Sequence, residues 1–268
     1  MRRTRPTLLI LLVAVLVACG EPLATAEPVF LEAAGSTAMA PLVEELAAAF
    51  SAQSPRIRME VSGLGTGFGL EALRAGEVDV ALASWLPTDL NPEWQATAIA
   101  RDGIAIVVHP DNPLNGLGLL QLQDLFSGRI YEWATVGGRV VQGLVQPVSR
   151  EEGSGTRAAF EALAMAGRTV TPRAVIAISS QGVIDYVAAH PDAIGYVSMA
   201  LLTPEVKALR VEGEEPTPET VARASYPLTR ELWLVTTQAA SEPVEEFIRF
   251  VLSPAGQQIV GRRYCRIR

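Results

Sequence analysis

Residues 150–157, Arg150-Glu151-Glu152-Gly153-Ser154-Gly155-Thr156-Arg157, hold the densest chemistry in this 268-residue chain. They join an apolar, strand-like run containing Val145 and Val148 to a helical pattern of Ala158, Ala159, Phe160, Leu163 and Ala164. Ser154 and Thr156 flank Gly155 where the helix should start. Backbone N–H groups there lack intrahelical partners, and the helix dipole is positive. Such an end attracts an oxyanion. Arg150 adds a permanently charged, planar fork that fits phosphate or carboxylate. An ordinary N-cap uses the same residue types, so this segment alone supports either reading.

Two further segments repeat the pattern. Gly35-Ser36-Thr37 follows Val29-Phe30-Leu31 and precedes Met39, Leu42, Val43, Leu46 and Phe50 at helical spacing. Pro41 falls in the first turn, where its missing N–H costs nothing. Ser62-Gly63-Leu64-Gly65-Thr66-Gly67 lies between a strand-like run (Ile57, Met59, Val61) and a helical run over 68–74. Its glycines, with Gly69, let the backbone bend closely around a ligand. A dinucleotide fingerprint would need different spacing and an acidic ribose partner. Three junctions of strand, hydroxyl loop and helix point to one oxyanion held by several helix N-termini.

The elements that must position these loops alternate. Apolar patterning predicts strands over 29–32, 57–61, 78–83, 103–109, 145–149, 193–197 and 231–236. It predicts helices over 39–52, 68–75, 119–126, 155–166, 181–190, 242–252 and 255–262. Strands separated by helices make an α/β fold with mainly parallel sheets, whose ligands sit beyond the carboxyl ends of strands. All three oxyanion segments fall there. Phe247, Ile248, Val251 and Leu252 form the buried stripe of one helix. Trp94 and Trp133 stand in polar surroundings and are expected to pack rather than act. The segment 211–220, with four glutamates and two prolines, reads as an exposed loop.

The chain also resembles a family. Ala34-Gly35-Ser36-Thr37-Ala38-Met39-Ala40-Pro41-Leu42, Gly63-Leu64-Gly65-Thr66-Gly67 and Gly76-Glu77-Val78-Asp79-Val80-Ala81-Leu82-Ala83-Ser84 look like the phosphate-binding proteins of ABC phosphate transporters. Arg150 followed by Ser154-Gly155-Thr156 matches that family's arginine and serine-glycine-threonine at the same separation. Ser180-Gln181-Gly182-Val183, Gly195-Tyr196-Val197-Ser198 and Tyr226-Pro227-Leu228-Thr229-Arg230 continue the likeness over nearly the whole mature chain. The resemblance implies a two-lobed periplasmic-binding-protein-like fold of type II, each lobe a mainly parallel sheet flanked by helices, with the ligand in the cleft. It implies ligand contacts at Ser36, Thr37, Thr66, Ser84, Arg150, Ser154, Gly155 and Thr156. Pro110-Asp111-Asn112-Pro113 is a strong break. The expected division is therefore lobe 1 over 29–109 plus 227–268 and lobe 2 over 110–226.

One position departs from the family pattern. After the serine matched by Ser84, family members place an aspartate or an arginine, and this chain has Trp85. The aspartate accepts a proton from phosphate and so helps exclude fully deprotonated sulfate. Trp85 offers only an N–H donor and a stacking face. Glu151 or Glu152 could stand in as acceptor, although solvated loop carboxylates are the expected reading of both.

Arg2, Arg3 and Arg5 precede an apolar run over 8–17 that is too short to span a bilayer. This is a signal peptide over 1–18. It ends in Leu16-Val17-Ala18-Cys19, which resembles the bacterial lipobox, so Cys19 is expected to be lipidated and to anchor the mature protein outside the membrane. Residues 19–28 read as a flexible linker. With Cys19 lipidated, Cys265 has no partner and no disulfide is expected.

The formal net charge is −7, and losing Arg2, Arg3 and Arg5 with the leader lowers it by three to −10. An acidic protein must capture an anion through local dipoles and arginines, because its overall field repels it. No basic, aromatic-interleaved patch suggests nucleic acid. No His, Cys, Asp or Glu cluster has metal-ligand spacing, and no cofactor is expected. His109 and His190 each precede proline and should sit at element ends. A hydrolase of phosphate esters is disfavoured because no base or activated nucleophile accompanies Ser154. The expected function is a lipid-anchored, monomeric binding protein delivering inorganic phosphate to a membrane permease with a cytoplasmic ATPase. The alternatives are a binder of another oxyanion (molybdate, tungstate or sulfate) and a sensor module of the same fold. The basic ending Arg262 to Arg268 could meet anionic headgroups near the tether.

Overall fold

The computed structural model describes residues 27–137 and 143–267; the expected signal peptide, Cys19 and most of the linker lie outside the described residues. Among the described residues no helix is long and apolar enough to cross a membrane. The chain first alternates β1 (Val29–Gly35), α1 (Ala40–Gln53), β2 (Ile57–Gly63), α2 (Thr66–Ala75) and β3 (Val80–Ala83). A long β4 (Trp94–Val108) leads to β5 (Gly116–Leu117), α3 (Leu119–Phe126), α4 (Ala134–Gly137), β6 (Gln146–Arg150), α5 (Gly155–Ala164), β7 (Val175–Ala177), α6 (Ser180–Ala189) and β8 (Ala193–Ser198). A 3-10 turn, β9 (Lys207–Val211), α7 (Pro218–Ala222), β10 (Thr229–Thr237), α8 (Glu242–Leu252) and α9 (Pro254–Val260) complete it.

Local chemistry explains the helices. α1 has Pro41 in its first turn and buries Leu42, Val43, Leu46 and Phe50, one stripe at helical spacing. α8 carries Glu242 and Glu245 in its first turn and Arg249 in its last, matching the helix dipole, and buries Val244, Phe247, Phe250 and Val251.

The strands join in the order β2-β1-β3-β10-β4-β8-β6-β7, with β9 on β4 and β5 on β9. Pairing is parallel towards both outer ends and antiparallel wherever β4 or β10 takes part. The reason is topological: β4 carries the chain out of the first half and β10 brings it back, so they run in opposite directions. One core gathers α1, β1, β2, α8 and α9 with Ile99, Ala100 and Leu232. Another gathers α3, α5, α6 and β8 with Ile104 to Val108 and Leu228. A smaller cluster joins α2 and β3 to Trp94 and Val235. Both crossing strands therefore change core within a few residues of Asp102 and Arg230.

Several sequence expectations need correction. The strand expected over 103–109 begins at Trp94, because its alanine-rich front half is fixed by pairing with β10 rather than by its own pattern. β5, β7, β9, α4 and α7 were not foreseen; all are five residues or fewer. The exposed loop over 211–220 is exposed only in part: Val211 is buried in β9, and Thr217 caps α7 through Thr220. Within the basic ending Tyr264 and Cys265 are buried, with Cys265 bridged to Arg101, while Arg262, Arg263 and Arg266 are exposed. Trp133, by contrast, packs as expected: it fills the second core and donates its indole N–H to the Asp192 carbonyl at 3.0 Å.

Three tyrosines close the cores. The Tyr196 ring stacks on Phe160 at 4.1 Å, and burial pushes its phenol up to about 12. Burial also raises the phenols of Tyr226 and Tyr264, which donate to the carbonyls of Ile104 and Ala38. A raised folded-state value means stability that is fully present below the ordinary phenol value near 10 and lost as pH rises towards 12. In an ultraviolet phenolate titration, three of the five tyrosines should ionise only together with loss of circular dichroism. Five phenolates formed near pH 10 with the fold intact would contradict the packing described here.

Candidate functional site

Each predicted hydroxyl loop sits where a strand hands over to a helix. Ser36 follows β1, and its amide is tied to the Leu82 carbonyl of β3 at 2.8 Å. Its hydroxyl donates to Ser84 Oγ at 2.9 Å, just beyond β3. The Ser84 amide donates to Thr66 Oγ1 at 3.2 Å, at the start of α2. Three loops of one half thus meet through their hydroxyls. The approach requires Gly69: a Cβ there would lie 2.3 Å from the Ala34 carbonyl oxygen.

The other half supplies Arg150 from the end of β6 and Ser154 to Thr156 from the start of α5. Arg150 is 1% exposed. Its Nε and Nη2 bond the Glu151 carboxylate at 2.8 and 2.7 Å. Nη1 donates to Ser180 Oγ at 3.1 Å, and Nη2 also donates to Thr37 Oγ1 at 3.2 Å, across the two halves. Ser154 is a true N-cap, accepting from the Arg157 amide at 3.3 Å. The amides of Gly155 and Thr156, like those of Thr37 and Ala38, bond to no other described residue. Those of Gly155 and Thr156 are the unpaired donors at the start of α5, and those of Thr37 and Ala38 lie in the turn leading into α1.

The halves touch at these loops. The Gly67 amide donates to the Gly153 carbonyl at 2.9 Å. A Cβ on Gly155 would lie 2.4 Å from Thr66 Oγ1 and 2.5 Å from Ser84 Oγ, so only glycine permits this closeness. Ser36, Thr66, Ser84, Arg150, Ser154 and Thr156 are all buried, and Thr37 is half-buried. All eight residues singled out in the sequence are therefore drawn into one cluster. A crevice of about 560 Å³ runs outside it, bordered by Thr66, Ser154 and Gly155 and by Leu70, Trp85 and Arg157.

The sequence reading missed other members. Ser180 at the start of α6 bonds both Arg150 and Thr37, the latter at 3.1 Å. Arg230 donates through Nη1 to Thr156 Oγ1 at 2.9 Å and holds Asp102 Oδ2 through Nε and Nη2 at 3.1 and 2.9 Å. Ser198 Oγ donates to the other Asp102 oxygen at 2.8 Å. Burial raises the Asp102 carboxyl, opposed by the Arg230 charge and these hydrogen bonds. A charged residue inside the apolar run of β4 was the available signal. Glu151 was read as a solvated loop carboxylate and is instead paired with Arg150, while Glu152 is exposed beside the crevice. Trp85 is half-buried and packs on the second core. His109 accepts from the Asp111 amide and His190 stacks on Tyr186, both outside the cluster. Among the described residues no group of acidic, histidine or cysteine side chains could hold a metal.

Comparison with known proteins agrees with this architecture. The family model described as PBP superfamily domain matches residues 22–255. The phosphate-binding protein PstS of Bacillus subtilis (strain 168) is 29% identical over 229 residues, covering 83% of this chain and 75% of that protein. A Clostridium perfringens phosphate ABC transporter substrate-binding protein, solved with bound phosphate, shares 32% identity at a TM-score of 0.83, covering 89% of this chain and 100% of its own. An ABC-type phosphate transport receptor from Vibrio cholerae shares 29% identity at a TM-score of 0.73, over 88% and 99%.

The Asp102–Arg230 pair yields a stability prediction. Arg230→Met strands a fully buried carboxylate and should cost about 3–5 kcal/mol. Asp102→Asn combined with Arg230→Met removes both charges and should cost clearly less, a non-additivity that urea denaturation will measure. Equal or greater loss in the double variant would show that the two side chains are not energetically paired.

Proposed function

The chain belongs to the PBP superfamily, and on that premise we propose that it is an extracytoplasmic solute-binding protein that captures inorganic phosphate for an ABC importer. One observation carries the reading: hydroxyls, free helix-start amides and a buried guanidinium converge from both halves on a single cluster. The proposed contacts are Ser36, Thr37, Thr66 and Ser84 from one side and Arg150, Ser154, Gly155 and Thr156 from the other. Every partner offered is a donor or can become one, which suits an acceptor-rich tetrahedral anion. The positive ends of α1, α2 and α5 add to the field. Because the whole chain is acidic, this attraction acts only locally.

The proposed lobes are 29–109 with 227–268 and 110–226, linked by β4 and β10. A ligand whose contacts come from both lobes binds the closed form better than the open one, so it drives closure. The reading assigns binding and release, not turnover; the Ser154 oxygen caps α5 rather than facing a base. We further propose removal of residues 1–18, lipidation of Cys19 and a tether through 19–28. The captured anion would then pass to a permease with its ATPase.

Isothermal titration should give a phosphate Kd of about 1 µM or tighter. Arg150→Ala should weaken it by ~100-fold or more, since a desolvated anion loses its charge-assisted partner. No binding of phosphate by the unaltered protein would sink the reading, and tighter binding of sulfate would transfer it to another oxyanion. For the tether, Cys19→Ala should move the protein from the detergent phase to the aqueous phase in cloud-point partitioning. An unchanged detergent-phase share would exclude acylation at Cys19.

A further inference from the structure

We infer that Arg230 is a positioning residue for ligand capture, which orients the Thr156 hydroxyl as an obligate donor to the bound anion. The inference rests on the phosphate-capture reading and adds a residue that does not itself touch the ligand. Arg230 and Asp102 stand opposite each other in the pairing of β10 with β4. Both side chains are fully buried. Two nitrogens of the guanidinium are fixed on Asp102, and the carboxylate is held on its far side by Ser198. The fork cannot swivel without breaking charged hydrogen bonds away from water, so Nη1 stays aimed at Thr156.

The consequence for Thr156 follows from donor chemistry. Arginine has no acceptor and does not lose its proton, so in this bond Oγ1 must accept. The Thr156 hydroxyl proton then has to go elsewhere, and it bonds to no other described residue. It lies at the start of α5, beside the unpaired amides of Gly155 and Thr156. Ser36 donates to Ser84, and the Thr66–Ser84 contact can run in either direction. Thr37 and Ser180 also accept from a cation, Arg150, but they bond each other, so one proton of that pair already has an acceptor. Thr156 differs in that no second described hydroxyl is bonded to it. Since Arg230 lies where β10 changes core, its grip on Thr156 also ties the donor to the strands that link the two halves.

A double-mutant cycle on inorganic phosphate binding tests this. Arg230→Lys keeps a cation beside Asp102 but cannot reach both partners with a planar fork. Arg230→Lys and Thr156→Val should each weaken phosphate by roughly tenfold, the loss of about one hydrogen bond to a charged group. In the Thr156→Val background, Arg230→Lys should cause no further loss. In a Ser36→Ala background it should still cost its full factor. Thr156→Ser, which keeps the hydroxyl, should bind within a few-fold of the unaltered protein. Independent, multiplying losses in the Thr156→Val background would overturn the inference, because a general structural defect behaves that way. If Arg230→Lys fails to fold, the same cycle is run with Asp102→Asn/Arg230→Gln, and the same coupling decides. Absence of phosphate binding by the unaltered protein overturns the capture reading too, and so is distinct from an additive cycle, which removes this inference alone.

Discussion

Two guanidinium groups lie almost out of contact with water, and the cleft is arranged around what that requires. Taking such a charge from water costs several kcal/mol unless a counter-ion and further hydrogen bonds replace the lost hydration. Arg150 solves this with Glu151, two hydroxyls and the Ala177 carbonyl. Arg230 solves it with Asp102 and Thr156. Each arginine thus spends one edge on a carboxylate and turns another towards small hydroxyls. Because each cation has its own anion, the cluster carries little excess charge, and the proposed anion capture would rely on aligned donors. That is consistent with a chain whose formal charge is −7.

Aligned donors help only if they can approach one another, and here side-chain size sets the limit. The Thr66 and Ser84 hydroxyls of one half lie against the start of α5 from the other because Gly155 presents no Cβ. The hydroxyl side chains at the seam are all serine or threonine, long enough to reach and too short to prop the halves apart. The sheet supplies the other part of the geometry. β4 and β10 run continuously through both cores, so the halves are joined by strands whose hydrogen-bonded ladder holds them in register. Arg230 and Asp102 mark the point where those strands change core, which makes the crossing and the start of α5 parts of one hydrogen-bonded unit.

This logic was legible in the sequence wherever it is written locally. Gly35-Ser36-Thr37, the glycine-rich loop around Thr66, and Ser154-Gly155-Thr156 each pair a strand end with a helix start in a few consecutive residues, so type and spacing were enough. The Arg230–Asp102 pair escaped because its members are 128 positions apart and each sits in a strand, where period-two patterning carries no information about a partner. Glu151 escaped for a different reason: a carboxylate in a glycine-containing loop looks solvated until the buried arginine beside it is placed. The front of β4 had too little apolar contrast to be read as a strand, and only β10 defines it. Trp133 packs as expected despite its polar neighbours in the sequence, and what folds over it decides which core it fills.

The donor arrangement also bears on which anion the proposed site would prefer. Glu151 and Asp102 are committed to arginines, and Trp85 stands where the family resemblance leads one to expect an aspartate or an arginine. A ligand proton would therefore be met by a hydroxyl oxygen. Serine and threonine can turn to accept it, but they can equally turn to donate to an oxygen that carries none. An aimed carboxylate repels a bare oxygen, and repulsion is the stronger source of discrimination. Rotating hydroxyls supply adaptability in its place. Where an arginine donates to the hydroxyl, as Arg230 does to Thr156 and Arg150 to Thr37, the oxygen accepts and the proton is left to donate, which would reward any acceptor oxygen alike. On these grounds the proposed cleft should separate tetrahedral anions by size and charge more sharply than by protonation.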